Sequence, residues 1–158
     1  MNINISDLLK GKYIELSLHA DSKKGIITQL VDLAAKSGKI KNKKAFLKAV
    51  LERERLGSTG IGNGVAIPHA KSKEVKGFVL AFARVEEGID FGALDGEDTS
   101  LFFILASPEE EVGRHLKIMA NISRAVKDKF IIERLKKAKE KKEVLEIISP
   151  KLLNLTVI

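Results

Sequence analysis

Hydrophobic positions switch repeatedly along the chain between a period near 3.6 and a period near 2. That alternation of helix-like and strand-like stretches predicts an α/β domain. Ser6 is placed to cap a short turn running to Leu9, and Tyr13, Ile14 and Leu16 read as a short strand. Asp21 or Ser22 caps a helix over residues 23–36, whose Ile26, Ile27, Leu30, Val31 and Ala34 share one face, and Ser37-Gly38 ends it. Asn42 opens a second helix reaching about Leu56, with Phe46 and Val50, joined by Leu47 and Leu51, on its buried stripe and Gly57 as its stop.

The run Gly57-Ser58-Thr59-Gly60-Ile61-Gly62-Asn63-Gly64 follows and reads as an irregular loop. Val65-Ala66-Ile67 is a short buried strand cut by Pro68, which leaves His69 at a strand end or an edge. Residues 78–85 and 101–105 read as further strands, with Phe91 and Leu94 anchoring the connection between them. A long helix is expected over 109–127 with Val112, Leu116, Met119, Ala120 and Ser123 along its apolar face. Two shorter helices, 130–137 and 141–148, precede Ser149-Pro150, and residues 151–158 form a strand or a packed tail.

Length and composition narrow the class. At 158 residues and 44% hydrophobic, the chain is expected to be a single domain spanning 1–158, its core at about 6–149. Without cysteine it has no disulfide framework and no thiolate chemistry. The opening residues lack the apolar core of a secretion signal, and the longest apolar run is too short to span a bilayer. A soluble cytoplasmic protein is therefore the expectation. The net charge of +7 raises nucleic acid as a partner, yet aromatics are only 5% with no Trp, so surfaces for stacking bases are scarce and no nucleic-acid role is expected.

Three histidines carry the candidate chemistry. His69 sits behind a proline that fixes the backbone, and imidazole is both nucleophilic and readily neutral near pH 7. His115 falls at the margin of a helix's buried stripe, and His19 lies in a loop before a helix. No spacing between them matches a metal-binding pair, so no metal and no cofactor is expected. The glycine run has the flexibility of a phosphate cradle, with Ser58 and Thr59 adding hydroxyls, but it lacks the Gly-Lys-Ser/Thr of a nucleotide loop. In Glu52-Arg53-Glu54-Arg55 the alternation is first of all that of a solvated helix face. One of the two arginines nevertheless faces the loop and His69, where a guanidinium suits phosphoryl oxygens.

Read as one segment, Leu51 through Ala70 closely resembles the active-site region of the enzyme IIA domains of the bacterial sugar phosphotransferase system, fructose/mannitol type, a family that also holds nitrogen-regulatory members. Gly88 to Gly96, Leu101 to Pro108 and Arg114 to Ala120 extend the likeness over most of the chain. The resemblance implies a mixed β-sheet flanked by helices. It implies that His69 is phosphorylated on Nε2 by the carrier HPr and hands the group to a cysteine of an enzyme IIB, with the membrane enzyme IIC as an indirect partner. Arg53 matches its arginine near the phosphohistidine, His115 its second histidine and Thr59 its loop threonine. His19 matches no motif of the family. Sugar uptake is the leading expectation, and a regulatory protein switched by its phosphate is the alternative.

Overall fold

The computed structural model describes residues 5–156, and side chains from 7 to 152. One six-stranded mixed sheet divides the molecule into two cores. Its strands are β1 (Ile14–Glu15), β2 (Gly60–Gly62), β3 (Val65–Ala66), β4 (His69–Ser72), β5 (Val79–Ile89) and β6 (Thr99–Pro108). The order is β1-β5-β6-β3-β2, with β4 also paired to β6. β5 and β6 run antiparallel, β1 is parallel to β5, and β3 and β4 lie parallel to β6 one after the other, interrupted at Pro68.

The period-2 pattern of the central strands explains the two cores. Leu80 and Phe82 on β5, with Leu101, Phe103 and Leu105 on β6, face one side; Val79, Ala81, Ala83, Phe102, Ile104 and Ala106 face the other. Helices α2 (Lys23–Ala35) and α3 (Lys43–Arg55) cover the second side through Ile26, Ile27, Leu30, Phe46 and Val50. The first side carries α1 (Ile5–Leu8), α4 (Val112–Ala125), α5 (Lys129–Lys137), α6 (Lys141–Ile148) and a 3₁₀ stretch over Ser149–Thr156.

The helix signals act as their chemistry dictates. The Ser22 and Asn42 side chains accept from the Gly25 and Ala45 N–H groups, capping α2 and α3, and the Asp128 side chain caps α5 by accepting from the Phe130 N–H. Glu140 and Glu143 close a capping box at α6. Ser6 lies inside α1, which begins at Ile5, and its side chain is outside the described residues. The tail folds as 3₁₀ turns with Pro150 inside it, and residues 157–158 lie outside the described set.

Four expectations are corrected. The glycine run contains β2, which forms a hairpin with β3 through Asn63 and Gly64, both at positive φ, the turn favoured between twisted strands. His69 lies at a strand end and an edge as expected, but it opens a new strand, β4, paired with β6 alone, instead of closing the Val65-Ala66-Ile67 strand, because pairing with β6 resumes past Pro68. Leu94 is 92% exposed, and Phe91 alone anchors its loop, edge-on to Phe102. The buried stripe of α4 runs through His115, Ile118, Asn121, Ile122 and Ala125, about one residue out of phase with the expected one, leaving Val112 and Leu116 in solvent at 47% and 61%.

Candidate functional site

The rotation of α4 matters because it turns His115 inward, over the start of β4. Its ring centroid lies 5.3 Å from that of His69. His69 and Lys71 alternate with the core residue Ala70 along β4, so both project from the same face of the strand. The C-terminal turn of α3 approaches from the other flank. β4 and the C-terminal end of α3 line an open cleft of about 590 Å³ that includes His69, Lys71, Arg53, Arg55 and Leu56.

The tautomer of His69 follows from its partner. Nδ1 lies 2.8 Å from the Ile67 carbonyl oxygen, which can only accept. In the neutral ring Nδ1 therefore carries the hydrogen and Nε2 keeps its lone pair. Burial holds the His69 pKa below its usual 6.5; the Ile67 bond works against that fall, and the Arg53 and Lys71 charges add to it. The ring is neutral and nucleophilic at pH 7.

His115 is only 2% exposed. Its Nδ1 is 2.7 Å from Ser107 Oγ on β6, and Ser107 is itself fully buried. Burial first, then the nearby His69 and Lys71 charges, push its pKa down to about 4. A hydroxyl can donate to Nδ1 or accept from it; when Ser107 donates, the proton of His115 sits on Nε2, which can then donate a hydrogen bond.

The glycine-rich run is not a free cradle of N–H groups. Thr59 N–H donates to Glu54 Oε2 at 2.8 Å, Gly60 N–H to Ser58 Oγ at 3.0 Å and Asn63 N–H to Asp95 Oδ2 at 3.0 Å. Gly60 is crowded, since a Cβ there would lie 3.0 Å from the Ala93 methyl and a neighbour would have to shift. Thr59 departs from its expected role. It is buried and its hydroxyl donates to Glu54 Oε1 at 2.5 Å, so its proton is not available to an incoming anion. Arg53 lines the cleft while Nη1 donates to the Gly57 carbonyl at 2.9 Å, holding the guanidinium at the mouth of the loop.

Several polar groups close to His69, His115 or the glycine run were not singled out from the residues alone. Ser107 lacks a local signal, because only the α4–β6 packing brings it to His115. Lys71 shares the His69 face of β4, a relation visible only once a strand is recognised after Pro68. Glu54 is hidden inside a run that reads as solvated charge. His19 lies elsewhere, with Nδ1 2.7 Å from exposed Glu87, a pair that raises its pKa. Among the described residues no group of three or more acidic or imidazole side chains converges as a metal site. Among them, too, no helix is long and apolar enough to cross a membrane.

The model of one family, "Phosphoenolpyruvate-dependent sugar phosphotransferase system, EIIA 2", matches residues 7–151. The chain belongs to this family. A fructose-specific EIIA component of Haloferax volcanii is 36% identical over 146 residues, 92% of this chain and 95% of that one. A fructose-specific EIIABC component of Bacillus subtilis is 33% identical over 93% of this chain, which spans only 23% of that longer protein. Among solved structures, the nitrogen regulatory protein IIA-Ntr of Neisseria meningitidis superposes with a TM-score of 0.86 at 34% identity, covering 91% of this chain and 98% of that one. The mannitol enzyme IIA of Escherichia coli, solved in complex with phosphorylated enzyme IIB, gives 0.79 at 26% identity, covering 90% and 99%. Membership in the EIIA 2 family makes the chain a phosphotransferase-system component of enzyme IIA type, and the mixed sheet flanked by helices is that of its solved relatives.

Proposed function

We propose that this enzyme IIA is a cytoplasmic phosphocarrier that holds its phosphoryl group on Nε2 of His69. The observation that carries the reading is the combination at β4: an imidazole whose Nε2 keeps its lone pair because Nδ1 is committed to a carbonyl, in a cleft shared with Arg53. The phosphohistidine of HPr is the donor. Nε2 attacks phosphorus in line, the donor's N–P bond breaks as the new one forms, and the donor imidazole leaves with the electron pair. A thiolate of enzyme IIB then attacks the same phosphorus from the other side, and His69 leaves neutral. The mannitol relative's complex with phosphorylated IIB supports that order of partners.

Charge builds on the three equatorial oxygens during each transfer. Arg53 offers a planar fork to them, Lys71 a second cation, and His115, with Ser107 donating to its Nδ1, an Nε2–H donor. Thr59 acts by holding the loop and not by touching phosphate. The exposed Leu56 gives the cleft an apolar element suited to a protein partner. The enzyme IIC transporter is an indirect partner, reached through IIB.

The test is transfer onward. The phosphorylated chain, mixed with a fructose-type enzyme IIB, should lose label from histidine as IIB gains it on cysteine; label that stays on the chain with every such IIB would overturn the transport reading. A regulatory role is the second reading, favoured by the 0.86 superposition on IIA-Ntr. It predicts a protein whose binding to its target differs severalfold between phosphorylated and free forms, since phosphate adds almost two negative charges to the cleft.

A further inference from the structure

A hydrogen-bonded path leads from a buried carboxylate to the nucleophilic ring. The Glu54 side chain, 5% exposed, pairs with Lys23 Nζ at 2.8 Å through Oε2. Its two oxygens accept both the N–H and the hydroxyl of Thr59, at 2.8 and 2.5 Å. The Thr59 carbonyl accepts the Ile67 N–H at 3.0 Å, and the Ile67 carbonyl accepts His69 Nδ1–H at 2.8 Å. Lys23 is itself fixed, donating to the Phe91 carbonyl at 3.1 Å and lying over the Phe91 ring.

The path passes through the interruption between β3 and β4 at Pro68. The peptide plane that bears the Ile67 carbonyl ends in the nitrogen of Pro68, which has no hydrogen to donate. That plane is held from its two neighbours: by the Ile67 N–H on Thr59, and by the Pro68 carbonyl, which accepts the Leu105 N–H at 3.1 Å. Fixing Thr59 thus fixes one of the two anchors of the carbonyl that selects the His69 tautomer. Glu54 also braces, from inside, the turn that Arg53 braces from outside through Gly57. A buried charge that accepts three donors is costly to place and uncommon without a purpose.

We propose that Glu54 is a positioning residue for the phosphoryl-transfer reaction, holding His69 in its Nδ1–H tautomer through Thr59 and Ile67. The inference rests on the phosphocarrier reading for its kinetic consequence, but the tautomer is a property of the unphosphorylated protein. An equal mixture of tautomers would only halve the attacking population; the larger effect is loss of aim, as the ring and Arg53 cease to be fixed together.

The experiment compares wild type, Glu54→Gln and Thr59→Val by nitrogen-15 NMR of the imidazole nitrogens at neutral pH and by single-turnover transfer from phospho-HPr. Glutamine removes the charge, so the Lys23 ion pair is lost, and puts an NH2 donor where Oε1 accepted, so the Thr59 hydroxyl can no longer donate there while the Thr59 N–H bond is kept. Wild type should show a single protonated Nδ1 at His69. Glu54→Gln should show a mixed Nδ1/Nε2 signal, a maximal transfer rate lower by about tenfold, and an unchanged half-saturating concentration of HPr. Thr59→Val loses only the hydroxyl bond and keeps its N–H on Glu54, so its rate should fall about threefold at most. A Glu54→Gln protein that folds and keeps both the wild-type tautomer signal and the wild-type rate overturns the proposal. Should that variant fail to fold, Thr59→Val decides: a detectable Nε2–H population supports the path, and an unchanged signal overturns it. Absence of phosphoryl transfer in wild type would instead defeat the phosphocarrier reading, and the NMR comparison would still decide the role of Glu54.

Discussion

Replacing His115 by asparagine separates the cost of burying an imidazole from its contribution to transfer. The shorter side chain of His115→Asn places its amide oxygen near the position of Nδ1, so the Ser107 hydroxyl keeps an acceptor while the titrating ring is gone. In the wild type the folded-state pKa is about 4, against an ordinary value of 6.5. The unfolded chain therefore binds a proton that the folded one refuses between those values, and stability falls as pH falls through that window. Above pH 7 the effect vanishes. At about pH 4.5 it amounts to about 2.5 kcal/mol, most of the full difference. Urea unfolding at about pH 7.5, 5.5 and 4.5 should show wild type losing that much more stability than His115→Asn, with most of the gap already open at the lowest point. His69 is common to both proteins and largely cancels from the comparison. Two stability profiles that run parallel, within about 0.5 kcal/mol, would refute the idea that burial and its neighbours keep His115 neutral.

Arg53→Lys keeps the charge but not the planar fork, and should slow transfer from phospho-HPr by about tenfold or more, measured in single turnover; a rate within twofold would show that charge alone suffices. Arg84 is a structural counterpart at the middle of β5. It is buried and donates to the carbonyls of Leu16, Leu135, Lys136 and Ala138, closing the C-terminus of α5. Arg84→Met keeps the stem and strands those acceptors, costing about 3 kcal/mol in urea unfolding, with hydrogen exchange rising first in α5; a loss below about 1 kcal/mol would mean water replaces the guanidinium freely. Phe46 is wholly buried between α3 and the sheet, and Phe46→Ala should cost about 3–5 kcal/mol in the same assay.

The sequence was most legible where a local rule acts alone. Ser22 and Asn42 cap helices whose apolar faces repeat cleanly, and the central strands are apolar enough to be found without their partners. It was least legible where polar groups are buried for a reason that lies elsewhere in the fold. His115 and Asn121 occupy the inward face of α4, while Val112 and Leu116 sit outside, so hydropathy alone turns that helix by about one residue. Glu54 looks solvated because its partners, Lys23 and Thr59, come from another helix and from the loop. β4 was hidden by Pro68, since the ladder to β6 is a long-range pairing with no local pattern. For β2 a signal was present: Asn63-Gly64 is the hairpin dipeptide, masked by the other glycines around it. His69 and Arg53 entered through a motif, and the geometry then showed which His69 nitrogen keeps its lone pair.

The central claim is that phosphate resides on His69, and one measurement addresses it directly. The protein is incubated with phosphoenolpyruvate, enzyme I and HPr, then digested and mapped by mass spectrometry, with and without a brief acid treatment. A single acid-labile phosphate is expected on the peptide bearing His69, and none on that peptide in His69→Ala. Full labelling of the His69→Ala protein, or a phosphate that survives acid, would contradict the claim.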